Sequence, residues 1–156
     1  MSYDKQSRTK IEDRLAAIRL LSLDTDGVLT DGGIYFNDAG EQMRKFNVRD
    51  GVGIKLAQAQ GVQIVIITAS STPSIRHRAI ALGVDHVFLA VEDKCQKLRE
   101  FCEKLKLPLD QVAHVGDDVN DVPVMKIVGC PLTVADAIKE AKALAHYVTD
   151  KKGGEG

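Results

Sequence analysis

The 156-residue chain has no tryptophan, three tyrosines and four phenylalanines. That leaves little material for the aromatic platforms on which single-stranded bases stack. It also lacks an excess of either charge. Twenty-one Lys and Arg stand against 22 Asp and Glu, a formal net charge of −1, so no global field gathers nucleic acid or an anionic membrane. Its cysteines, Cys95, Cys102 and Cys130, form no CxxC pair, which speaks against a disulfide framework and a closely spaced zinc site. Cys95 and Cys102 fall on a predicted helix beside Leu98 and Leu105 and read as core packing. No apolar run is long enough to span a bilayer, and the polar opening residues lack the apolar stretch of a secretory signal. The expectation is a protein of the reducing cytoplasm with no nucleic-acid or membrane partner. What is present, 44% hydrophobic and 28% charged residues, is the composition of an ordinary globular chain whose length suits one domain over 1–156.

The hydrophobic pattern alternates between short apolar runs and helix-like stretches. Residues 1–10 are polar and read as a frayed or helical lead-in. Ile18 to Leu23 is an apolar run ending in Asp24. Gly32-Gly33 breaks the chain, and Asn37-Asp38-Ala39-Gly40 reads as the turn of a hairpin within 33–48, with Met43 to Val48 as its return strand. Asp50-Gly51 opens a helix to about Gln60. Val62 to Thr68 contains Ile64-Val65-Ile66-Ile67, a run of the kind buried on both faces. Helices are predicted after Thr72-Pro73, over Asp93–Lys106, Val119–Val128 and Asp136–Leu144. Short strands are predicted at Val87–Leu89, Val112–Val115, Pro131–Val134 and Tyr147–Val148. The Gly-rich end, 151–156, reads as a flexible tail. Strands alternating with helices imply βαβ units, hence an α/β fold with a doubly wound parallel sheet and one β-hairpin inserted after the first strand. Ligands of such sheets bind outside the C-terminal strand ends.

Those ends carry polar groups. Asp24 and Asp26 follow the first strand, Thr68 follows the second long strand, and Asp117 and Asp118 follow Gly116, with Asp121 close behind. Lys94 starts a helix. If these residues meet at one rim, two carboxylates about 4 Å apart repel by roughly 4 kcal/mol at an effective dielectric near 20. Such a cluster needs a cation, a lysine or raised pKa values. Mg²⁺ suits it, being hard, oxygen-seeking and able to keep waters that a phosphate can replace. Any single Asp here could equally cap a helix. The ordered set of DxDGV, Thr, Lys and GDDxxD is hard to reach by capping alone.

The set resembles the haloacid dehalogenase (HAD) superfamily of phosphotransferases, whose four motifs match Asp24-Thr25-Asp26-Gly27-Val28, Thr68, Lys94 and Gly116-Asp117-Asp118-Val119-Asn120-Asp121. The resemblance implies a Rossmann-like fold in which Asp24 attacks phosphorus and Asp26 acts as acid and then base. It implies that Thr68 and Lys94 hold the phosphoryl oxygens, and that Asp24, Asp117, Asp118 and the backbone carbonyl of Asp26 serve Mg²⁺. An Asp at position 26 favours phosphatase over dehalogenase chemistry. Only about 36 residues separate Asp31 from Thr68, which leaves no room for a separate cap domain.

Within the superfamily the chain is most similar to the 3-deoxy-D-manno-octulosonate 8-phosphate (KDO 8-phosphate) phosphatases, enzymes of lipopolysaccharide biosynthesis. Within Phe46-Asn47-Val48-Arg49-Asp50-Gly51 the run from Asn47 to Gly51 is the most specific, with Ala145 to Thr149 and Gly153-Gly154 in support. The resemblance implies a homotetramer joined through the hairpin, a neighbouring subunit roofing each site. It makes Asp26, Asn47, Val48, Arg49, Asp50, Gly51, Lys55, Ser70, Arg78 and Lys94 candidate substrate contacts. Taken alone, Arg49 and Lys55 read as solvated surface charge. The chain departs from the pattern after Thr68, where Ala69-Ser70-Ser71 replaces the usual Gly-Arg and a guanidinium able to clamp an oxyanion is missing. The nonulosonate 9-phosphate phosphatases, which usually have Glu there, are the alternative. A phosphoryl transferase with another acceptor and a non-catalytic phosphosugar binder are the remaining readings. The dispersed histidines, His77, His86, His114 and His146, have no metal-ligand spacing and receive no role. No Gly-x-Ser-x-Gly or Walker-type Gly-Lys-Ser/Thr occurs.

Overall fold

The computed structural model describes residues 5–156, with side-chain surroundings from Lys10 onward; the expected fraying at 1–4 lies outside the described residues. In chain order the elements are α1 (Lys5–Ala16), β1 (Leu20–Leu23), β2 (Tyr35–Phe36), β3 (Gln42–Met43), α2 (Val48–Ala59), β4 (Gln63–Ile67), α3 (Pro73–Ala81) and β5 (His86–Phe88). They continue with α4 (Lys94–Leu105), a 3₁₀ turn at Leu109–Gln111, β6 (Val112–Val115), α5 (Val122–Met125), β7 (Cys130–Thr133), α6 (Lys139–Leu144) and β8 (Tyr147–Val148). Six strands form one sheet in the order β5-β4-β1-β6-β7-β8. Every pairing in it is parallel. The chain leaves β1 toward β4 and β5, then crosses back to β6, so the strand order reverses beside β1.

The unbroken apolar run of β4 is explained by its two covered faces. Ile64 and Ile66 point to one side, against Ile54 of α2 and Ile75 and Ala79 of α3. Val65 and Ile67 point to the other, against Leu98, Phe101 and Cys102 of α4. α4 starts at Asp93, whose side chain accepts from the Gln96 N–H at 2.8 Å. It ends at Lys106 in the left-handed region. The hairpin β2–β3 stands apart as a two-stranded antiparallel pair.

Four expectations are corrected. α2 begins at Val48, two residues before Asp50, because Asn47 is its N-cap and accepts from the Arg49 N–H at 2.9 Å. The return strand of the hairpin is Gln42–Met43, and residues 44–46 lead from it to the helix without strand pairing. α5 covers four residues instead of the ten predicted for Val119–Val128. Its leading residue Asp121 turns its side chain inward and leaves the helix end without a side-chain cap. The fourth is the glycine-rich end, which is a strap and not a flexible tail. Gly153 donates to Asp136 Oδ1 at 3.0 Å, and Gly154 donates to the Val28 carbonyl at 3.0 Å. A Cβ on Gly153 would lie 1.8 Å from the Gly27 carbonyl oxygen, so only glycine lets the strap lie on the loop after β1.

Gly153→Ala is accordingly expected to lift the strap and cost about 1–3 kcal/mol. Urea unfolding together with faster amide exchange at Gly154 checks this; an unchanged midpoint and unchanged exchange would contradict the close approach.

Candidate active site

β4, β1 and β6 are neighbours and run the same way, so their C-terminal ends lie side by side. Thr68, Asp24 and Gly116-Asp117 follow those ends. The Asp24 N–H donates to the Val115 carbonyl at 3.0 Å, which ties the first loop to β6. Lys94 reaches this rim from the first turn of α4. Its side chain is 1% exposed, and its Nζ donates to Asp24 Oδ1 at 2.7 Å and to Asp121 Oδ1 at 2.8 Å. One ammonium thus joins two carboxylates that would otherwise repel. Removing it would leave buried charge unpaired, which costs about 3–5 kcal/mol.

Asp121 is the most heavily bonded member. Besides Lys94 it meets His114 Nε2 at 3.1 Å, and its Oδ2 accepts from the N–H groups of Asp117 and Asp118 at 3.1 and 3.4 Å. His114 Nδ1 lies 2.9 Å from Ser22 Oγ, so the network continues into β1. Burial alone would raise the Asp121 pKa, but the hydrogen bond and charge of His114 and the Lys94 ammonium hold it at about 2. Burial would likewise lower Lys94, yet the facing carboxylates of Asp24 and Asp121 raise it. Asp24 is raised by burial and by Asp121, with Lys94 opposing.

Asp117 shows what the cluster still lacks. Burial, with Asp24, Asp121 and Asp118 close by, pushes its pKa up to about 7. Its buried Oδ1 has no hydrogen-bond partner. One ligand oxygen each from Asp24, Asp117 and Asp121 lie within 4.8 Å of one another. Gly27, at φ +91°, makes room, since a Cβ there would sit 2.1 Å from Asp117 Oδ2. Three crowded carboxylates, one of them carrying an unpartnered oxygen, suit a small hard divalent cation. Two of the expected ligands, Asp24 and Asp117, are in this side-chain set and Asp121 joins them, while Asp26 is expected to serve through its backbone carbonyl. The turn closed by the Asp121 N–H on the Asp118 carbonyl sends Asp121 inward and leaves Asp118 exposed, accepting from the Val119 N–H at 2.7 Å. The Asp26 carboxylate is engaged elsewhere.

Its partner is Arg44, just beyond β3, which the sequence reading passed over. Arg44 Nε and Nη2 donate to Asp26 Oδ1 and Oδ2 at 2.7 and 3.3 Å. Nη2 also lies 3.5 Å from Ser70 Oγ, and Nη1 donates to Gln42 Oε1 at 3.2 Å. Thr68 Oγ1 accepts from the Ser70 N–H, and Ser70 Oγ donates to Thr72 Oγ1 at 2.9 Å. His114 is a second residue that the spacing of the histidines does not single out; its place in a strand covered on both faces is the signal for it. Arg44 offered none, because a charged residue beside a hairpin normally faces water.

The proposed sugar contacts form a second group. Asn47 is held between the strap and α3: its Nδ2 donates to the Gly154 carbonyl at 3.1 Å, and its carbonyl accepts from Arg78 Nη2 at 3.0 Å. Arg78 also lies over the Phe46 ring and fits because Gly51 has no Cβ, which would come within 2.6 Å of its guanidinium. Asp50 is half-buried, its Oδ2 unpartnered and its pKa raised by burial against the opposing Arg78. Val48, Arg49 and Lys55 are exposed along α2.

Comparison with known proteins gives this geometry its context. Residues 90–156 match the family model of haloacid dehalogenase-like hydrolases. The 3-deoxy-D-manno-octulosonate 8-phosphate phosphatase of Yersinia pestis is 43% identical over 143 residues, spanning 92% of this chain and 76% of the relative. The Escherichia coli K12 enzyme of the same name is 42% identical over 139 residues, 89% and 74% of the two chains. Among solved structures, the Moraxella catarrhalis enzyme, in complex with a magnesium ion, a phosphate ion and a KDO molecule, superposes with a TM-score of 0.91 at 32% identity. That match covers 94% of this chain and 84% of the other. The cobalt-bound Haemophilus influenzae enzyme gives 0.87 at 32%, covering 92% and 84%.

The raised Asp117 fixes the sign of a pH effect. Above about 7 its carboxylate is ionised and destabilises the metal-free cluster, and a bound cation relieves this; below that pH the cation must first displace the proton. Mg²⁺ is therefore expected to raise the melting temperature more at pH 8 than at pH 5.5. Calorimetric melts with and without Mg²⁺ check this, and an equal shift at both values would contradict it.

Proposed function

The chain belongs to the 3-deoxy-D-manno-octulosonate 8-phosphate phosphatase family of haloacid dehalogenase-like hydrolases, and on that premise we propose that it hydrolyses the phosphate monoester of a 2-keto-3-deoxy sugar acid, KDO 8-phosphate. The observation that carries this reading is the buried Asp24–Lys94–Asp121 bridge beside an unpartnered Asp117 oxygen. It supplies a carboxylate held in place, a cation for phosphoryl oxygens and an opening for a metal.

Mg²⁺ is the cofactor, with Asp24 and Asp117 as side-chain ligands, the Asp26 backbone carbonyl as a further one, and Asp118 and Asp121 in support. When bound, it offsets the repulsion between an anionic nucleophile and an anionic phosphate. Asp24 attacks phosphorus in line with the ester oxygen, forming an aspartyl-phosphate as the P–O bond to the sugar breaks. Lys94 fixes Asp24 and, with the Thr68 hydroxyl, balances charge on the transferring oxygens. Asp26 acts on the leaving group in its acid form, once its carboxylate is released from Arg44 and protonated: it gives that proton to the departing sugar oxygen, then regains one from the water that opens the aspartyl-phosphate and releases inorganic phosphate. Asn47 to Gly51, Lys55 and Arg78 form the wall toward the sugar. A binder without turnover has no use for Asp26 beside a second carboxylate two residues away.

The assembly we propose is a homotetramer joined through the hairpin, active in the cytoplasm. Exposed Ile34, Tyr35, Phe36 and Met43 give the hairpin an apolar surface that suits burial against another subunit. Among the described residues no helix is long and apolar enough to cross a membrane.

Asp24→Asn is expected to abolish phosphate release from KDO 8-phosphate, and Asp26→Asn to reduce it by about 10²–10⁴-fold. A continuous phosphate assay on folded variants checks both, and an Asp24→Asn variant with substantial turnover would remove the nucleophile assignment. Light scattering is expected to report about four subunits per particle, and Phe36→Asp to lower that number; a wild-type monomer would contradict the hairpin interface.

A further inference from the structure

The hairpin is exposed at its apolar residues, yet it sends one side chain inward. The Arg44 side chain is 2% exposed, while its partner Asp26 is 32% exposed. The pair is therefore more open on the Asp26 side, with Arg44 as its enclosed member. Its guanidinium spans two loops, grasping Asp26 after β1 and reaching Ser70 after β4. Gln42 of the same hairpin accepts from both Arg44 Nη1 and Thr72 Oγ1, each at 3.2 Å, and so holds the guanidinium in place.

Of the cations placed toward the site, Arg49 and Lys55 lie exposed along α2, and the enclosed ones are already paired. Lys94 is committed to Asp24 and Asp121, and Arg78 to the Asn47 carbonyl and the Phe46 ring. A sugar-acid phosphate brings two anionic ends. A planar fork that holds a carboxylate through two N–H groups is already shaped for a second oxyanion of the same geometry. Asp26 is the partner from which such an exchange costs least, because its exposure weakens the pairing by solvent screening.

We propose that Arg44 is a substrate-binding, specificity-determining residue whose guanidinium transfers from Asp26 to an oxyanion of the incoming sugar-acid phosphate. It thereby provides, from the hairpin, the cation that the loop at Ser70 lacks. This rests on the phosphatase reading above. The ligand chemistry is a carboxylate or phosphoryl oxyanion, and the substrate panel separates the two.

The experiment measures kcat and KM for KDO 8-phosphate and for a neutral sugar phosphate without a carboxylate, using the Mg²⁺-loaded wild type, Arg44→Gln and the double variant Arg44→Gln/Ser70→Arg. Melting curves confirm that each is folded, and Arg44→Lys serves if Arg44→Gln is not. Arg44→Gln is expected to raise KM for KDO 8-phosphate by about 10–100-fold, the loss of one charge-assisted contact. The double variant is expected to recover most of that loss, because the guanidinium then enters from the adjoining loop; a purely structural Arg44 gains nothing from it. A rise confined to KDO 8-phosphate identifies the carboxylate as the ligand, and a rise with both substrates identifies the phosphoryl group. A lower kcat with unchanged KM on both overturns the proposal, since Arg44 would then act only by holding Asp26. Wild-type protein that hydrolyses no sugar-acid phosphate overturns the functional reading itself, and the inference with it.

Discussion

The buried ammonium of Lys94 is the contact on which the remainder of the site depends. It brings together carboxylates that enter from opposite sides of the strand crossover, Asp24 from the end of β1 and Asp121 from the loop after β6. Without a positive charge between them, desolvation and mutual repulsion would drive one to take up a proton. With it, Asp121 stays ionised and free to fix the backbone of Asp117 and Asp118 through their N–H groups. The position of Asp117, and the opening for a metal, thus follows from a lysine in a different helix. That helix is anchored by Leu98, Phe101 and Cys102 against Val65 and Ile67, so core packing sets the reach of the ammonium.

Around this centre the structure places three retaining elements with different physical characters. The His114–Ser22 contact is wholly buried and joins Asp121 to the sheet. The strap at Gly153-Gly154 holds the loop after β1 by backbone hydrogen bonds and close glycine packing. The hairpin reaches the same loop through the Arg44 guanidinium and, at the surface, through Lys45 Nζ, 3.3 Å from Asp31 Oδ2. The first is rigid because it is dry, the second because it tolerates no side chain. The third has solvent-facing partners and is the element best suited to rearrange when an anion arrives.

Much of the architecture was legible in the sequence because apolar periodicity and chain breaks follow the same rules in the sequence as in the fold. The β4 run could only be a strand covered twice, and the polar residues at strand ends had to share a rim once the sheet was parallel. Asp24, Thr68, Lys94 and Asp117 could be singled out on that basis. Three things could not be read. Whether Asp118 or Asp121 faces inward depends on one turn closed by a backbone hydrogen bond, and spacing is silent on it. Arg44 meets Asp26 only through the path of a hairpin whose direction no local pattern encodes. The terminal glycines looked like loose chain because their value lies in what passes beside them, the Gly27 carbonyl and Thr30, both remote in sequence.

The strand order has a kinetic side. β1 is flanked by β4 and β6, and its pairing with β6 joins Leu23 to Val115, about 90 residues onward. Closing so long a loop comes late, after nearer contacts have offset its entropy. The oxygens of Asp24 and Asp117 therefore stay apart through most of the folding reaction. A cation that recognises them has nothing to bind until the barrier is largely crossed. Its stabilisation then appears as a slower escape from the native state, with the rate of reaching that state almost untouched.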